Sequence, residues 1–125
     1  MTPTLNEGVG LDMAMLKVFK RYFKLKNEMN EIEETVKQYG FKSVEECLVL
    51  VVIVESEQTT SVQIQSNTSL EQSTVSTIAR RLATSKLIQK KDDETDSKHR
   101  VLRRQIYTPT AKGIDLVAKL KSQLQ

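Results

Sequence analysis

LEQSTVSTIARRL, at residues 70–82, leads through four further residues to the apolar pair at 87–88. The next charged stretch, at 92–100, is DDETDSKHR, a composition that favours a solvated turn. An alternating segment follows and ends near residue 107, and a new helix opens around Thr110. This order of helix, strand, turn, strand and helix predicts a winged helix-turn-helix, a mainly α fold with a small β-hairpin wing.

The predicted helix at 70–84 has two unlike sides. Val75, Ile78 and Leu82 recur at helical spacing, so one side faces a core. The opposite side carries Ser73, Ser76, Thr77, Arg80 and Thr84. This slim polar face fits a DNA major groove, about 12 Å wide, and can donate to bases or phosphates. The plainer alternative is a merely soluble helix, but Ser and Thr are poor helix formers, so their clustering needs a reason.

A β-hairpin is predicted at about 87–107, because Leu102 and Ile106 alternate with polar residues. Its basic residues are Lys90, Lys91, Lys98, Arg100, Arg103 and Arg104. Its acidic residues are Asp92, Asp93, Glu94 and Asp96. Since carboxylates repel phosphate, we expect some of them to pair with nearby arginines and to hold a wing at about 91–103 in shape.

Positive charge is concentrated in the same part of the chain. Residues 1–79 hold seven Lys/Arg and eleven Asp/Glu, a net charge of −4, whereas residues 80–112 hold ten and four, a net charge of +6. Such local concentration is the electrostatic pattern of a phosphate-binding surface. The alternative is a basic hairpin without a partner, which the adjoining hydroxyl-rich helix face makes less attractive.

Length and composition indicate one globular domain. The chain has 125 residues, of which 38% are apolar and 28% charged. We expect a flexible N-terminus at 1–10 and a single winged-helix domain at 11–125. No apolar run approaches the roughly 18 residues of a membrane span, and the start has no signal-peptide core. The single cysteine, Cys47, excludes an intramolecular disulfide and favours a cytoplasmic location.

A heptad seam marks the N-terminal region. Its members are Leu11, Met15, Val18, Tyr22, Leu25, Met29, Ile32, Val36 and Tyr39, spaced alternately four and three residues apart. A helix at 11–39 would be about 43 Å long, more than a small domain covers. The seam therefore predicts a homodimer, with packing inside one chain as the alternative. Phe19 and Phe23 widen the stripe, and we expect that wider half to rest on the chain's own core.

Capping patterns predict the remaining helices. Gly40 suits a left-handed helix stop, and SVEE at 43–46 is a capping box that opens an apolar, central helix. Residues 61–66 alternate like a strand, but the box TSVQ at 60–63 favours a short helix. A further box is predicted at 69–72. Helix start signals also place an N-cap at Thr108 and a first helical residue at Pro109, before a stripe of Ile114, Val117, Leu120 and Leu124.

Several of these residues together resemble the MarR family of bacterial regulators. The likeness rests on Gln72-Ser73-Thr74-Val75-Ser76, Arg81-Leu82, Leu87-Ile88, Asp96-x-Lys98 and Tyr107-x-x-Thr110-x-x-Gly113. It covers about residues 43–118. The compact length and the helix start at 43–46 are also similar to the SarA-like branch of that family.

The resemblance implies a homodimeric, sequence-specific DNA-binding transcriptional regulator. The helix at 70–84 would enter the major groove, and the wing would reach the minor groove or backbone of a pseudo-palindromic operator. The resemblance implies Ser73, Thr74, Ser76, Thr77 and Arg80 as groove contacts, Lys98 as a phosphate contact and Asp96 as a brace of the wing. The expected DNA-binding set also includes Thr84 from the polar helix face and Arg100 and Arg103 from the basic hairpin. The expected dimer interface is Leu11, Met15, Val18, Tyr22, Leu25, Met29, Ile32, Val117, Leu120 and Leu124.

The expected organisation follows from these sites. The helices at 11–39 and 109–125 serve dimerisation, and residues 43–107 form the DNA-binding lobe. The sequence departs from the family pattern at Lys98, which replaces an arginine, and at Pro109, which replaces a leucine. A single C-terminal helix also stands where many relatives have two.

Other function classes are disfavoured by what the sequence offers. We predict no enzyme, no cofactor and no metal site, because His99 lies in the wing far in sequence from any nucleophile, and Cys47 has no histidine partner. Cys47 is expected to be a buried apolar residue, with a redox sensor as the alternative. A small-molecule effector is compatible with the sequence but is not indicated. The main rival is a winged-helix adaptor or antirepressor that binds proteins and not DNA.

Overall fold

The computed structural model describes residues 12–97 and 100–124, and side chains at 12–92 and 105–124. The elements in order are α1 (Met13–Gln38), α2 (Val44–Ser56), β1 (Thr59–Thr60), α3 (Ser61–Thr68), α4 (Gln72–Thr84), β2 (Ile88–Ser97), β3 (Arg100–Pro109) and α5 (Ala111–Leu124). Over the described ranges this confirms a mainly α winged helix-turn-helix with a β-hairpin. The expected flexible N-terminus at 1–10 lies outside the described residues, as do Leu11, Lys98 and His99.

The chain divides into two compact units, Met1–Glu34 and Thr35–Gln125. In the first unit, helix α1 begins where the Asp12 carboxylate accepts the backbone amides of Ala14 and Met15, at 3.0 and 3.2 Å. Large apolar side chains along it are 42–59% exposed: Met13, Met15, Val18, Phe19, Tyr22, Phe23, Leu25, Met29 and Ile32. Phe19 and Phe23 are among them, and contact of this wider half of the stripe with the chain's own core stays a prediction.

Helix α1 ends as its sequence predicts. Gly40 has a φ of +93°, a conformation that residues with a side chain rarely adopt. The amide of Phe41 donates to the Val36 carbonyl at 3.2 Å, and the amide of Gly40 donates to the Lys37 carbonyl at 3.0 Å. These bonds satisfy carbonyls that the end of the helix would leave unpaired.

The capping box before α2 is only half formed. The Ser43 hydroxyl accepts the Glu46 amide at 3.2 Å, as predicted. The Glu46 carboxylate does not return to the cap, because it binds Arg81 of α4 at 3.0 Å. A guanidinium gives a buried carboxylate a stronger, charge-assisted hydrogen bond than a backbone amide does.

The ambiguous segment at 61–66 is helical, as the box at 60–63 predicts. The Thr60 hydroxyl accepts the Gln63 amide at 3.3 Å, and the Gln63 side chain accepts the Thr60 amide at 3.1 Å. The box predicted at 69–72 is wrong. Ser69 instead ends α3 in the left-handed conformation, with φ of 62°, and Glu71 precedes α4 without a side-chain cap.

The two strands of the hairpin are longer than the sequence predicts, because they extend into the segment expected to be a turn. Strand β3 lies between β1 and β2, and β2 pairs with β3 from Ile88↔Pro109 to Ser97↔Arg100. The prediction of a charged turn at 92–100 is therefore wrong, because residues 92–97 belong to β2. Charged residues have a low intrinsic preference for strands. Here pairing with β3 along the whole length of β2 overcomes that low preference.

The start of α5 also corrects a prediction. Thr108 and Pro109 close β3, and Thr110 is the cap, because its hydroxyl accepts the Gly113 amide at 3.1 Å. Pro109 has no amide to donate, so it suits the last position of a strand. The Thr110 hydroxyl also donates to the Lys86 carbonyl at 2.7 Å, which ties α5 to the turn before β2.

One hydrophobic core lies within the second unit. Helix α2 supplies Val49, Leu50 and Ile53, each 0% exposed, which confirms the predicted central helix. The rest of the core comes from other elements: Val36, Phe41, Cys47, Ile64, Val75, Ile78, Ala79, Leu82, Leu87, Ile88, Tyr107, Val117 and Leu120. In the described part of the chain, no helix has the length and apolar content required to cross a membrane.

Candidate nucleic-acid interface

Helix α4 has the two unlike sides that its sequence predicts. Val75, Ile78 and Leu82 are 0%, 4% and 1% exposed and anchor the helix in the core. On the other side Ser73, Thr77, Arg80 and Thr84 are exposed, while Thr74 and Ser76 are half-buried. The core thus holds the helix and leaves a continuous polar surface available to a second molecule.

Two hydroxyls on this surface have a fixed direction. Thr77 Oγ1 donates to the Ser73 carbonyl and Thr84 Oγ1 donates to the Arg80 carbonyl, each at 2.9 Å. Because the hydroxyl protons are used within the helix, each oxygen is left as an acceptor beside a methyl group. Such a pair can accept from the amino group of adenine or cytosine, or contact the methyl group of thymine.

Neighbouring arginines on α4 have different surroundings. The Arg80 side chain is exposed, and among the described residues it takes part in no ion pair. Arg81 binds the Glu46 carboxylate of α2, with side-chain exposures of 43% for Arg81 and 9% for Glu46. Arg80 therefore offers its guanidinium to a ligand, whereas Arg81 joins α4 to α2.

Sequence reasoning did not find the Arg81–Glu46 pair. The helical wheel indicates that the two arginines differ, since Arg80 lies opposite the apolar stripe and Arg81 lies beside it, close enough to contact a neighbouring helix. Glu46 gives no such indication, because its position in a capping box already accounts for a glutamate there. An open groove runs beside this pair, lined by Ser43, Glu45, Leu70, Ser73, Thr74, Thr77, Ile78 and Arg81.

The wing residues predicted to bind DNA are placed by their strands. Asp96 and Ser97 end β2, opposite Val101 and Arg100 of β3, and Arg103 lies opposite Glu94. Lys98, between the strands, is outside the described residues. The register sets Asp93 opposite Arg104 and Glu94 opposite Arg103, and the pairing of acids with arginines, with Asp96 as a brace, stays a prediction. At the base of the wing, Lys90 and Lys91 are exposed.

The residues predicted to form a dimer interface fall into two groups. In the first unit, the described seam residues Met15, Val18, Tyr22, Leu25, Met29 and Ile32 are 42–59% exposed. In α5, Val117 and Leu120 are only 1% and 2% exposed, within the core of their own chain, so direct contact with a second chain does not fit their burial. Leu124 is 45% exposed and keeps its surface available.

Cys47, the one thiol of the chain, and the possible metal-ligating side chains form no reactive site in the described residues. Burial, together with the neighbouring Glu46 carboxylate, raises the pKa of the Cys47 thiol to about 11, and the side chain is 6% exposed. Cys47 thus matches the predicted buried residue better than a redox sensor. Burial also raises the pKa of Tyr107. Within the described ranges, no group of three His, Cys, Asp or Glu residues is arranged to hold a metal ion.

Comparison by sequence finds no counterpart. No family model matches this chain. No curated protein matches it either.

Comparison by fold finds close counterparts among solved structures. AbfR, in its disulfide form, superposes with a TM-score of 0.78 at 21% identity, over 90% of this chain and 73% of its own. MepR, a transcription regulator of the Staphylococcus aureus multidrug efflux pump MepA, gives 0.71 at 20% identity, over 86% and 75%. AbsC, a MarR family transcriptional regulator from Streptomyces coelicolor, gives 0.71 at 13% identity, over 94% and 77%. The chain therefore has the winged-helix fold of MarR-type regulators.

Two of these proteins have been solved with nucleic acid. AbfR has been seen bound to DNA, in an overoxidized form, and MepR bound to an oligodeoxyribonucleotide. The corresponding DNA-bound structures match this chain with TM-scores of 0.67 and 0.68.

Proposed function

We propose that this protein is a sequence-specific, DNA-binding transcriptional regulator that acts as a homodimer. The observation that carries the proposal is the polar face of α4. Its side chains Ser73, Thr77, Arg80 and Thr84 are exposed and lie outside the hydrophobic core. A helix anchored on one side and polar on the other can lie in a major groove while the protein rests on the flanking phosphates. The DNA-bound structures of AbfR and MepR, which share the fold, support this role.

Base recognition is assigned to the exposed face of α4. Arg80 can donate two hydrogen bonds to a guanine edge, and Thr77 and Thr84 supply oriented acceptors and methyl groups. Ser73, Thr74 and Ser76 lie nearer the start of the helix, the end that reaches deepest into the groove in many helix-turn-helix proteins. Phosphate contacts are assigned to Arg100 and Arg103 of β3 and, outside the described residues, to Lys98.

Dimerisation is assigned to the exposed seam of α1. Six large apolar residues of that seam are exposed by 42–59% of their area, which is unusual for a helix that meets only water. Pairing of two copies would set two α4 helices about one DNA turn apart, ~34 Å, and would match a pseudo-palindromic operator. Leu124, at the end of α5, is a further candidate for that interface.

A protein-binding adaptor is the second candidate function. The exposed apolar surface of α1 favours it, since that surface can bind a different chain as well as a second copy. An adaptor, however, has no use for a cationic hairpin beside a hydroxyl-rich helix. Binding to duplex DNA, and its dependence on salt, separates the two functions.

The test is DNA binding by an Arg80→Ala variant. If Arg80 contacts a base, the variant should lose roughly 1–3 kcal/mol of binding free energy, which is about a fivefold to 150-fold loss of affinity. Lys119→Ala is the matched control, because it removes a positive charge from α5, where Lys119 pairs with Asp115 at 3.1 Å. Fluorescence anisotropy with a labelled operator fragment measures both. Equal affinity for wild type and Arg80→Ala would remove Arg80 from the interface.

A further inference from the structure

Charge is divided along helix α1 at about residue 27. Residues 13–26 hold five basic residues and no acidic one: Lys17, Lys20, Arg21, Lys24 and Lys26. Residues 27–34 hold four acidic residues and no basic one: Glu28, Glu31, Glu33 and Glu34. Because opposite charges attract, a helix divided in this way favours a copy that runs in the opposite direction over one that runs alongside it.

The heptad places some of these charges beside the exposed seam. Its spacing assigns the six exposed seam residues to the two core positions of heptads, with a at Met15, Tyr22 and Met29 and d at Val18, Leu25 and Ile32. The g and e positions flank such a seam, and their charges set the direction in which two helices pair. Arg21 and Glu28 are at g, and Lys26 and Glu33 are at e. All four side chains are exposed.

A parallel pair of α1 helices would bring only like charges together at these flanking positions. In that direction a g residue lies beside the next e residue of the partner. Arg21 would meet the partner's Lys26, and Glu28 would meet the partner's Glu33. Twofold symmetry repeats each contact, so every charged pair along the seam would be repulsive.

An antiparallel pair can bring opposite charges together. A crossing between residues 23 and 24 pairs all six exposed seam residues: Met15 with the partner's Ile32, Val18 with the partner's Met29, and Tyr22 with the partner's Leu25. In this direction g residues lie beside g residues, and e residues beside e residues. Arg21 therefore lies beside the partner's Glu28. Lys26 lies beside the partner's Phe19, whose ring can accept a cation on its face.

Neighbouring antiparallel registers fit less well. A crossing at Asn27 sets Lys26 against the partner's Lys26 and sets Glu28 against the partner's Glu28. That register also requires Val36, which is only 1% exposed and belongs to the core of its own chain. A crossing at Lys20 sets Arg21 against the partner's Arg21. The extent of the exposed seam and the flanking charges therefore select the same register.

We propose that two copies of this protein pair antiparallel along α1, crossing between residues 23 and 24, with Arg21 of each copy bound to the partner's Glu28. This inference rests on the proposed homodimer and deepens it, because it gives the pair a direction and a register. A second copy is the partner that the charges fit, since one helix carries both Arg21 and its acceptor. The overlap from Met15 to Ile32 spans about 26 Å of helix.

Reversal of the charge at Arg21 distinguishes the two directions by the sign of its effect. Arg21→Glu should raise the Kd of the antiparallel dimer roughly tenfold, because two ion pairs become two like-charge contacts. In a parallel dimer the same variant would face Lys26 and lower the Kd. Lys20→Glu is the matched control, because Lys20 is exposed on the side of α1 away from the seam, and it should change the Kd by about twofold or less. Sedimentation equilibrium at low salt measures all three proteins.

A compensating change tests the contact itself. Glu28→Arg should weaken the dimer as Arg21→Glu does, and a chain that carries both changes should regain the wild-type Kd, because the ion pair is restored with its charges exchanged. A double variant as weak as the single variants would contradict the contact between Arg21 and the partner's Glu28.

Disulfide crosslinking reports the register without any change of charge. In a Cys47→Ala background, Val18→Cys and Met29→Cys chains are refolded together in equal amounts and oxidised mildly. The mixture should form crosslinked dimers, because the two positions face each other. Neither variant should crosslink with itself, since antiparallel pairing separates two copies of residue 18 by roughly 16 Å along the helix axis. Efficient crosslinking of Val18→Cys alone would show a parallel pair and would overturn the inference.

The outcomes separate this inference from the proposed function. A monomeric wild type would remove the proposed homodimer, and the antiparallel pair with it. A dimeric wild type that Arg21→Glu tightens or leaves unchanged would keep the proposed homodimer and would overturn its direction and register alone.

Discussion

Arg80 and Arg81 are adjacent on α4, but their side chains have different surroundings and therefore different roles. Arg80 projects opposite the buried stripe of α4 and is exposed, so it remains available to a ligand. Arg81 lies at the flank of that stripe and meets Glu46, a carboxylate that is only 9% exposed. The residue type was readable from the sequence in both cases, but the partner on α2 was not, because it lies 35 residues away.

Removal of Arg81 should cost stability and not only binding. Arg81→Ala leaves the Glu46 carboxylate buried without its partner, and we expect a loss of about 1–2 kcal/mol in the free energy of unfolding. The loss is smaller than for a fully buried pair because Arg81 is 43% exposed and its charge is screened. Urea denaturation measures it. Arg80→Ala should stay within about 0.5 kcal/mol of wild type, and an equal loss in both variants would contradict the distinction.

Cys47 gives a dependence on pH whose sign follows from its raised pKa. The folded thiol has a pKa of about 11 against an ordinary value of 9.0, so folding favours the protonated form. Its contribution to stability is present below pH 9 and is lost as the pH rises towards 11. Denaturation curves at pH 8 and pH 10.5 should show a larger loss for wild type than for Cys47→Ala.

Reaction with a thiol reagent checks the same burial independently. At pH 8 the folded protein should react with Ellman's reagent far more slowly than the urea-unfolded protein, because the thiolate is scarce and the side chain is 6% exposed. Equal rates would show that Cys47 is accessible and would reopen the redox-sensor alternative.

Hydrogen bonds from Thr110 join the start of α5 to the turn between α4 and β2. The Leu87 carbonyl accepts the Thr110 amide at 3.1 Å, and the Thr110 hydroxyl donates to the Lys86 carbonyl. Gly113 lies where α5 crosses this turn, and a Cβ at that position would overlap the Leu87 carbonyl oxygen. The motif Tyr107-x-x-Thr110-x-x-Gly113 therefore has a packing reason: the first turn of α5 rests on the backbone that leads into the wing.

Gly113→Ala should destabilise the protein through this contact. Overpacking against backbone costs typically about 1–3 kcal/mol, because the carbonyl cannot rotate away as a side chain would. Thermal unfolding followed by circular dichroism should show a lower Tm. Ala118→Gly, at an exposed position of the same helix, is the control for helix propensity and should cost about 1 kcal/mol or less. A Gly113→Ala variant as stable as wild type would contradict the close approach.

Local sequence patterns predicted some elements and failed at others for identifiable reasons. The box at 60–63 and the stop at Gly40 are satisfied within a few residues of chain, so their patterns were sufficient. The box at 69–72 failed because Ser69 is used to end α3, a competition that the pattern does not reveal. The predicted end of β2 was wrong because the six charged or polar residues at 92–97 form a strand only when β3 lies alongside them.

The molecule as a whole leaves a large apolar surface on the N-terminal unit. Residues such as Tyr22, Met29 and Ile32 are 55%, 59% and 42% exposed, and their heptad spacing was readable from the sequence. The sequence did not reveal that Val117 and Leu120 are consumed by the chain's own core, because an apolar stripe looks alike whether it meets its own chain or another. The sequence did predict which side of α4 is buried and which is polar and exposed, since one helix supplies both sides; DNA contact by the exposed side stays a prediction.

An acidic substitution in the seam should separate the protomers. Ile32→Glu places a charge in the predicted interface, where burial without a partner is unfavourable by several kcal/mol. Sedimentation velocity should show a dimer for wild type and a monomer for the variant. Val62→Glu is the matched control, because Val62 is 71% exposed on α3 and lies outside the seam. A monomeric wild type would contradict assignment of the seam to a homodimer.

The central claim is that two copies of the exposed α4 face recognise a defined duplex sequence. Selection of bound fragments from a pool of random duplex DNA tests it most directly, since no operator has to be assumed. The account predicts enrichment of a pseudo-palindromic motif with half-sites about one helical turn, roughly 10 base pairs, apart, and loss of that enrichment with Arg80→Ala. A pool that stays random after repeated rounds with folded wild-type protein would contradict it.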